Sequence, residues 1–156
     1  SMRVQIGDVL GVQFSPLTYS VNESAGSVAL MVNRTNTSGA LTVNYATSNG
    51  TAVAGSDYIA ASGTITFANG EASKTITVPI VDNATNEGNE NFTVTLSNPS
   101  VGIIISADAT VTILDDDALT ASITFNPTNY IVAEDVGSVT LVVKRTVATT
   151  SELYDK

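Results

Sequence analysis

Two-residue alternation of apolar and polar positions runs through most of residues 12–114, and no stretch carries a helical period. In "SVALMV" it points Val28, Leu30 and Val32 to one side; in "LTVNY" it does so with Leu41, Val43 and Tyr45, and in "TITF" with Ile65 and Phe67. "KTITVPI" contributes Ile76, Val78 and Ile80, "NFTVTL" contributes Phe92, Val94 and Leu96, and "ATVTI" contributes Val111 and Ile113. The positions between them are mostly Thr, Asn or Ser, which suit the solvated face of a sheet. Turn-forming clusters separate the runs: "ESAGS", "NTSG", "SNGTAVAGSD", "FANGEAS", "DNATNEGNE" and "SNPS". With Val12–Val21 as the first, the pattern predicts seven strands, A to G. The expected architecture is an all-β, seven-stranded antiparallel sandwich of immunoglobulin-like type.

The chain also repeats itself. "VQFSPLTYSVNESAGSVALMVNRT" (12–35) aligns without a gap to "ITFNPTNYIVAEDVGSVTLVVKRT" (123–146). Phe14/Phe125, Pro16/Pro127, Tyr19/Tyr130, Gly26/Gly137, Leu30/Leu141 and Arg34/Arg145 all fall at the same offset, 111 residues. One complete unit is therefore expected over 11–117, with a leader segment at 1–10 whose Ser1-Met2 resembles a cloning remnant. A linker follows at 118–122, then strands A and B of a second unit at 123–156. A lone two-stranded hairpin is marginal in water. Its apolar side chains predict packing on the first unit's edge or on another molecule, as in a strand-swapped pair.

Composition narrows the function. Fifteen acidic groups against six Lys and Arg give a net charge of −9. That balance argues against nucleic acid or an anionic membrane as partner. There is no Cys, His or Trp. Cys–His and Ser–His catalysis are excluded, as is zinc held by imidazole or thiolate. A glycosidase-like carboxylate pair would lack a sugar-stacking Trp, and no enzyme is predicted. No apolar stretch approaches a membrane span, so direct membrane insertion is not expected. The missing cysteines fit an exported protein.

The alternating strand directions then gather the acids. Strands A, C, E and G finish at one pole, which brings together Glu23 of the A–B loop, Asp57 of the C–D loop, and Asp82, Glu87 and Glu90 of the E–F segment. Asp115, Asp116 and Asp117 join them after strand G. Arg34 and Lys74 lie toward the opposite pole, and the other basic residues fall outside the first unit. Carboxylates packed this closely repel one another unless a cation compensates. A hard, oxygen-seeking ion suits loops rich in Asp, Asn and Gly; calcium ranks ahead of magnesium. The bland alternative is a solvated acidic rim.

"NGTAVAGSDYIAASGTITFANGEASKTITVPIVDN", "NENFTVTLSNPS" and "ATVTILDDD" resemble the Calx-beta repeat, known from sodium–calcium exchangers, integrin β4 and large bacterial surface proteins. The resemblance spans the first unit and only strands A and B of the second. It implies calcium ligands at Glu23, Asp57, the stretch opening at Asp82, Glu87, and Asp115–Asp117. The exchanger repeats carry consecutive aspartates after strand E, where this chain reads Asp82-Asn83-Ala84. Asn83 offers a neutral oxygen in place of a charge, so one or two calcium ions are expected, held in the roughly 10⁻⁵–10⁻³ M range of weaker sites. Glu90, next to the apolar start of strand F, is expected to solvate the strand entrance and is left out of the ligand set. The leading functional expectation is a non-catalytic calcium-binding repeat of a larger, extracellular or cell-surface protein, bacterial in origin and adhesive or structural in role. Its partners would be adjacent Calx-beta repeats, with calcium stiffening the link between them. The alternatives are a regulatory calcium sensor of an exchanger-like transporter and a metal-free spacer.

Overall fold

The computed structural model describes residues 9–119, 121–135 and 137–147. Most of the leader segment and the last residues of the second repeat lie outside them. The chain divides into two compact units, 1–116 and 117–156.

In the first unit two sheets face each other. One has the order β6-β3-β1-β8, built from Ser73–Pro79, Ser27–Arg34, Gly11–Phe14 and Ile103–Ser106. The other has the order β2-β9-β7-β4-β5, built from Thr18–Asn22, Asp108–Leu114, Glu90–Ser97, Leu41–Asn49 and Ser62–Phe67. The alternation predicted for the strands sets which residues line the interface. Val28, Leu30, Val32, Leu41, Val43, Ile65, Phe67, Ile76, Val78, Ile80, Phe92, Val94, Leu96, Val111 and Ile113 are all buried, and Tyr45 packs partly buried against them. Each fully buried aliphatic or aromatic side chain is worth about 1.5–3 kcal/mol relative to exposure. Without a disulfide, this interface is what opposes the loss of chain entropy.

The sandwich is as expected, but two of its strands are not single. Strand A divides into β1 and β2 around Ser15–Leu17, each half joining a different sheet. Pro16 at the crossing has no N–H to offer a ladder. Strand G, expected only over "ATVTI", is likewise in two parts, β8 and β9, so the described residues of this unit form nine strands where seven were predicted. The two divided strands travel together: β1 pairs with β8 and β2 with β9, both in parallel. Seven segments alternating in direction leave the first and last pointing the same way. A sheet that joins them must therefore contain a parallel pair, and the antiparallel expectation fails only there.

The second unit contains β10 (Ala121–Phe125) and β11 (Val143–Val147), paired antiparallel in a sheet of their own. By the 111-residue offset β10 overlaps the counterpart of strand A, whereas β11 covers only the end of the counterpart of strand B, since 138–142 are not in a strand.

Candidate metal centre

The parallel β2–β9 pair builds the acidic pole directly. Its register ends with Asn22 opposite Leu114, so the next residues out, Glu23 and Asp115, leave the sheet side by side. On the other side of β9, antiparallel β7 sets Glu90 opposite Ile113. Three acids from three distant parts of the chain thus meet through sheet register alone. Beyond β2 the chain makes a 3-10 turn, Glu23–Ala25, closed by Gly26 at φ 75°, a conformation that favours glycine. The turn folds the Glu23 side chain inward, leaving it 5% exposed.

The loops are then tied to this frame. Asp57 accepts a hydrogen bond from the Val53 N–H at 2.6 Å, while its own carbonyl accepts from the Val81 N–H at 3.0 Å. That second bond holds the segment after β4 against the segment after β6. Next to it, the Tyr58 ring stacks on Phe92 at 4.1 Å, and its hydroxyl donates to Asn49 Oδ1. Asp115 Oδ2 accepts from the backbone N–H groups of Glu87 and Gly88, at 2.8 and 2.6 Å, while its own N–H donates to Asn89 Oδ1. Gly88 sits at φ 83°, which turns two successive N–H groups toward one carboxylate.

The result is an open pocket lined by Glu23, Asp57, Glu87, Gly88, Glu90, Ile113 and Asp115. Glu23, Asp115 and Asp117 each place a carboxylate oxygen so that all three atoms lie within 4.8 Å of one another, a spacing a single cation can bridge. Asp116 is exposed and accepts from Ser24 Oγ, which links the run after β9 to the 3-10 turn. Asp82 remains exposed alongside, outside the pocket lining. Asn83 joins the cluster differently from expectation. Its nitrogen groups face the acids and its side-chain oxygen accepts from the Thr85 N–H at 2.7 Å.

Glu90 proves to be a lining residue of the pocket. Burial raises its carboxyl to about 7, with the Asp57 charge and a hydrogen bond to Asp57 adding to the effect, and Glu87 and Glu23 behind them. Burial is the larger cause, and the neighbouring carboxylates push in the same direction. The signal for it in the sequence is register: Glu90 opens strand F, and strand F neighbours strand G. At the far pole, Arg34 is 5% exposed and donates to the carbonyls of Thr37, Gly39, Ala68 and Glu71, over the Phe67 ring. Lys74 pairs with Glu71 at 2.8 Å. Both described cations of the first unit thus lie away from the acids.

An immunoglobulin-like sandwich with acids from four segments at one pole defines the class of module. The Calx-beta domain model matches residues 6–117 and again 116–154, and the chain belongs to the Calx-beta family. It is 38% identical to sodium/calcium exchanger 1 of Bos taurus over 157 residues, covering 85% of this chain and 16% of that protein. It is 33% identical to the sodium/calcium exchanger Calx of Drosophila melanogaster over 141 residues, covering 88% and 15%. The chain thus spans about a sixth of the length of these relatives. Among solved structures, the apo-form Calx CBD1 domain superposes with TM-score 0.68 at 34% identity, covering 70% of this chain and all of that one. The calcium binding domain CBD12 of CALX1.1 superposes with TM-score 0.65 at 34% identity, covering 68% and 44%.

Proposed function

We propose that the chain is a non-catalytic calcium-binding module that senses calcium for an exchanger-like transporter. The pole formed by Glu23, Asp57, Glu87, Glu90, Asp115 and Asp117 would hold one or two ions, with Asp82 and Asp116 at its margin. The observation that carries this reading is the convergence of Glu23, Asp115 and Asp117 oxygens within 4.8 Å, with Arg34 and Lys74 committed elsewhere. The similarity to exchangers, and to a solved domain described as calcium binding, supports this role over the adhesive surface repeat that the sequence alone placed first. It likewise draws support away from an extracellular, bacterial setting. Among the described residues no helix is long and apolar enough to cross a membrane.

Ion binding would do two things. It would neutralise the acids, so that the loops after β2, β4, β6 and β9 no longer repel one another. It would also restrain Asp115–Asp117, the stretch that runs on toward the second unit, and with it an adjacent Calx-beta repeat.

Calorimetric titration of metal-stripped protein with calcium tests the proposal, with magnesium as the competing ion. Saturable heat is expected, and at calcium 100-fold above Kd the native state gains about 2.7 kcal/mol over the same protein in EDTA. Asp115→Asn removes one charge from the shared cluster and should weaken both responses. A flat titration and coincident melting curves in calcium and EDTA would sink the reading.

A further inference from the structure

The side chain of Asn83 bridges two of the pole's acids. Glu23 Oε1 accepts from the Asn83 backbone N–H at 2.9 Å and from its Nδ2 at 2.7 Å; Nδ2 also reaches Glu87 Oε2 at 3.2 Å. A primary amide has two N–H groups on one nitrogen, so a single Nδ2 can serve one carboxylate with each. The orientation of the amide is dictated by its other end, where Oδ1 accepts from the Thr85 N–H at 2.7 Å. Reversed, the amide would set an oxygen against two carboxylates and an NH2 group against a backbone N–H. Both contacts would then be repulsive, and only the observed arrangement satisfies every partner.

This arrangement has a consequence for ion occupancy. A calcium ion bridging Glu23 and Glu87 would stand 2.3–2.6 Å from oxygens of both. The Asn83 nitrogen stands close to that position, donating hydrogen bonds where an ion would supply charge. We propose that Asn83 is an occupancy-determining residue, a neutral bridge that takes the place of one cation between Glu23 and Glu87 and so confines calcium to the Asp115–Asp117 side. The inference rests on the calcium reading of this pole. An aspartate at 83 would remove the side-chain donors, add an anionic oxygen, and open that position to a further ion.

The test compares the whole chain with Asn83→Asp and Asn83→Ala in calcium titrations by calorimetry, with melting curves in EDTA alongside. Asn83→Asp should take up one more calcium ion than the parent, and in EDTA its Tm should fall by about 4–8 °C as the bridge is replaced by repulsion. Asn83→Ala removes the bridge without adding a ligand. It should lose stability in EDTA and, with the position between Glu23 and Glu87 no longer filled, bind at least the parent's number of ions; fewer would make Asn83 itself a ligand and overturn the inference. If Asn83→Asp proves unfolded in EDTA, the ion count is taken from material folded in calcium. An unchanged ion count in Asn83→Asp overturns the inference whatever the parent binds. A parent that binds no calcium beside an Asn83→Asp variant that does would overturn the calcium reading of the parent while upholding the bridge.

Discussion

The two copies of the A–B hairpin, β1–β3 in the first unit and β10–β11 in the second, make nearly the same local structure under opposite conditions of burial. Val12 pairs with Arg34 and Phe14 with Val32; 111 residues on, Ile123 pairs with Arg145 and Phe125 with Val143. The N–H of Met31 donates to the Tyr19 hydroxyl at 2.9 Å, and that of Val142 donates to the Tyr130 hydroxyl at 2.8 Å. Ser15 and Asn126 donate to the equivalent carbonyls of Met31 and Val142. Burial then separates them. Phe14 is 2% exposed against 52% for Phe125, and Leu30 is 0% exposed against 49% for Leu141. Strand register and the tyrosine tie are thus properties of the local segment, whereas the hydrophobic energy belongs to the opposing sheet. The second hairpin has the first without the second.

The largest expected effect tests that separation. Leu30→Ala opens a cavity between two sheets and should cost about 2–5 kcal/mol in chemical unfolding. Leu141→Ala, at a half-exposed position, should stay within about 1 kcal/mol. Comparable costs for the two would break the contrast. They would mean that the second hairpin's apolar side chains are covered in solution, as strand-swapped self-association through this hairpin would require; sedimentation of the parent protein then identifies whether a second copy does so.

Next in size comes the arginine pair. Arg34 is nearly buried, and its guanidinium satisfies four backbone carbonyls that the B–C and D–E turns leave pointing at one another. Lysine keeps the charge but lacks the planar fork, so Arg34→Lys strands several of those carbonyls and should cost about 2–3 kcal/mol. Arg145 is exposed, and Arg145→Lys should be close to neutral in the same unfolding experiment. An equal loss at both positions would show that the second copy builds the same carbonyl cage without the sandwich around it.

The difference between the hairpins also explains what could be read from the sequence. Alternation identifies Leu30, Val43, Val78 and Val94 as core because a period of two directly encodes a sheet's two faces. It fails at β8, where Ile103, Ile104 and Ile105 are consecutive and only the middle one turns inward. It also fails at Tyr58, a loop residue buried by stacking on Phe92 with no periodic neighbours to mark it. The acidic pole was legible because strand direction alone decides which loops share an end. The finer geometry was not, because it depends on pairings between sequence-distant strands. The parallel β2–β9 register brings Glu23 beside Asp115, and the β7–β9 register brings in Glu90. The orientation of Asn83 follows from a hydrogen bond to Thr85 that composition does not disclose.

The smallest expected effect is the most selective, because it probes the part of the structure the two hairpins share. In each, a tyrosine hydroxyl accepts a backbone N–H of the second strand, and in the second unit that hydroxyl also donates to the Asn126 carbonyl at 3.0 Å. Removing the hydroxyl leaves the ring in place and strands only these polar groups, a change worth about 0.5–1.5 kcal/mol where the groups are shielded from water. Tyr19→Phe should therefore lower global stability by that amount, since β3 unfolds only with the sandwich. Tyr130→Phe should leave the global transition where it is and instead speed amide hydrogen exchange at Val142, because a hairpin held by local bonds opens locally. Unchanged exchange at Val142 in Tyr130→Phe would show that the tyrosine tie is not what holds the second hairpin in register. Pairing through β10 and β11 alone would then have to account for it.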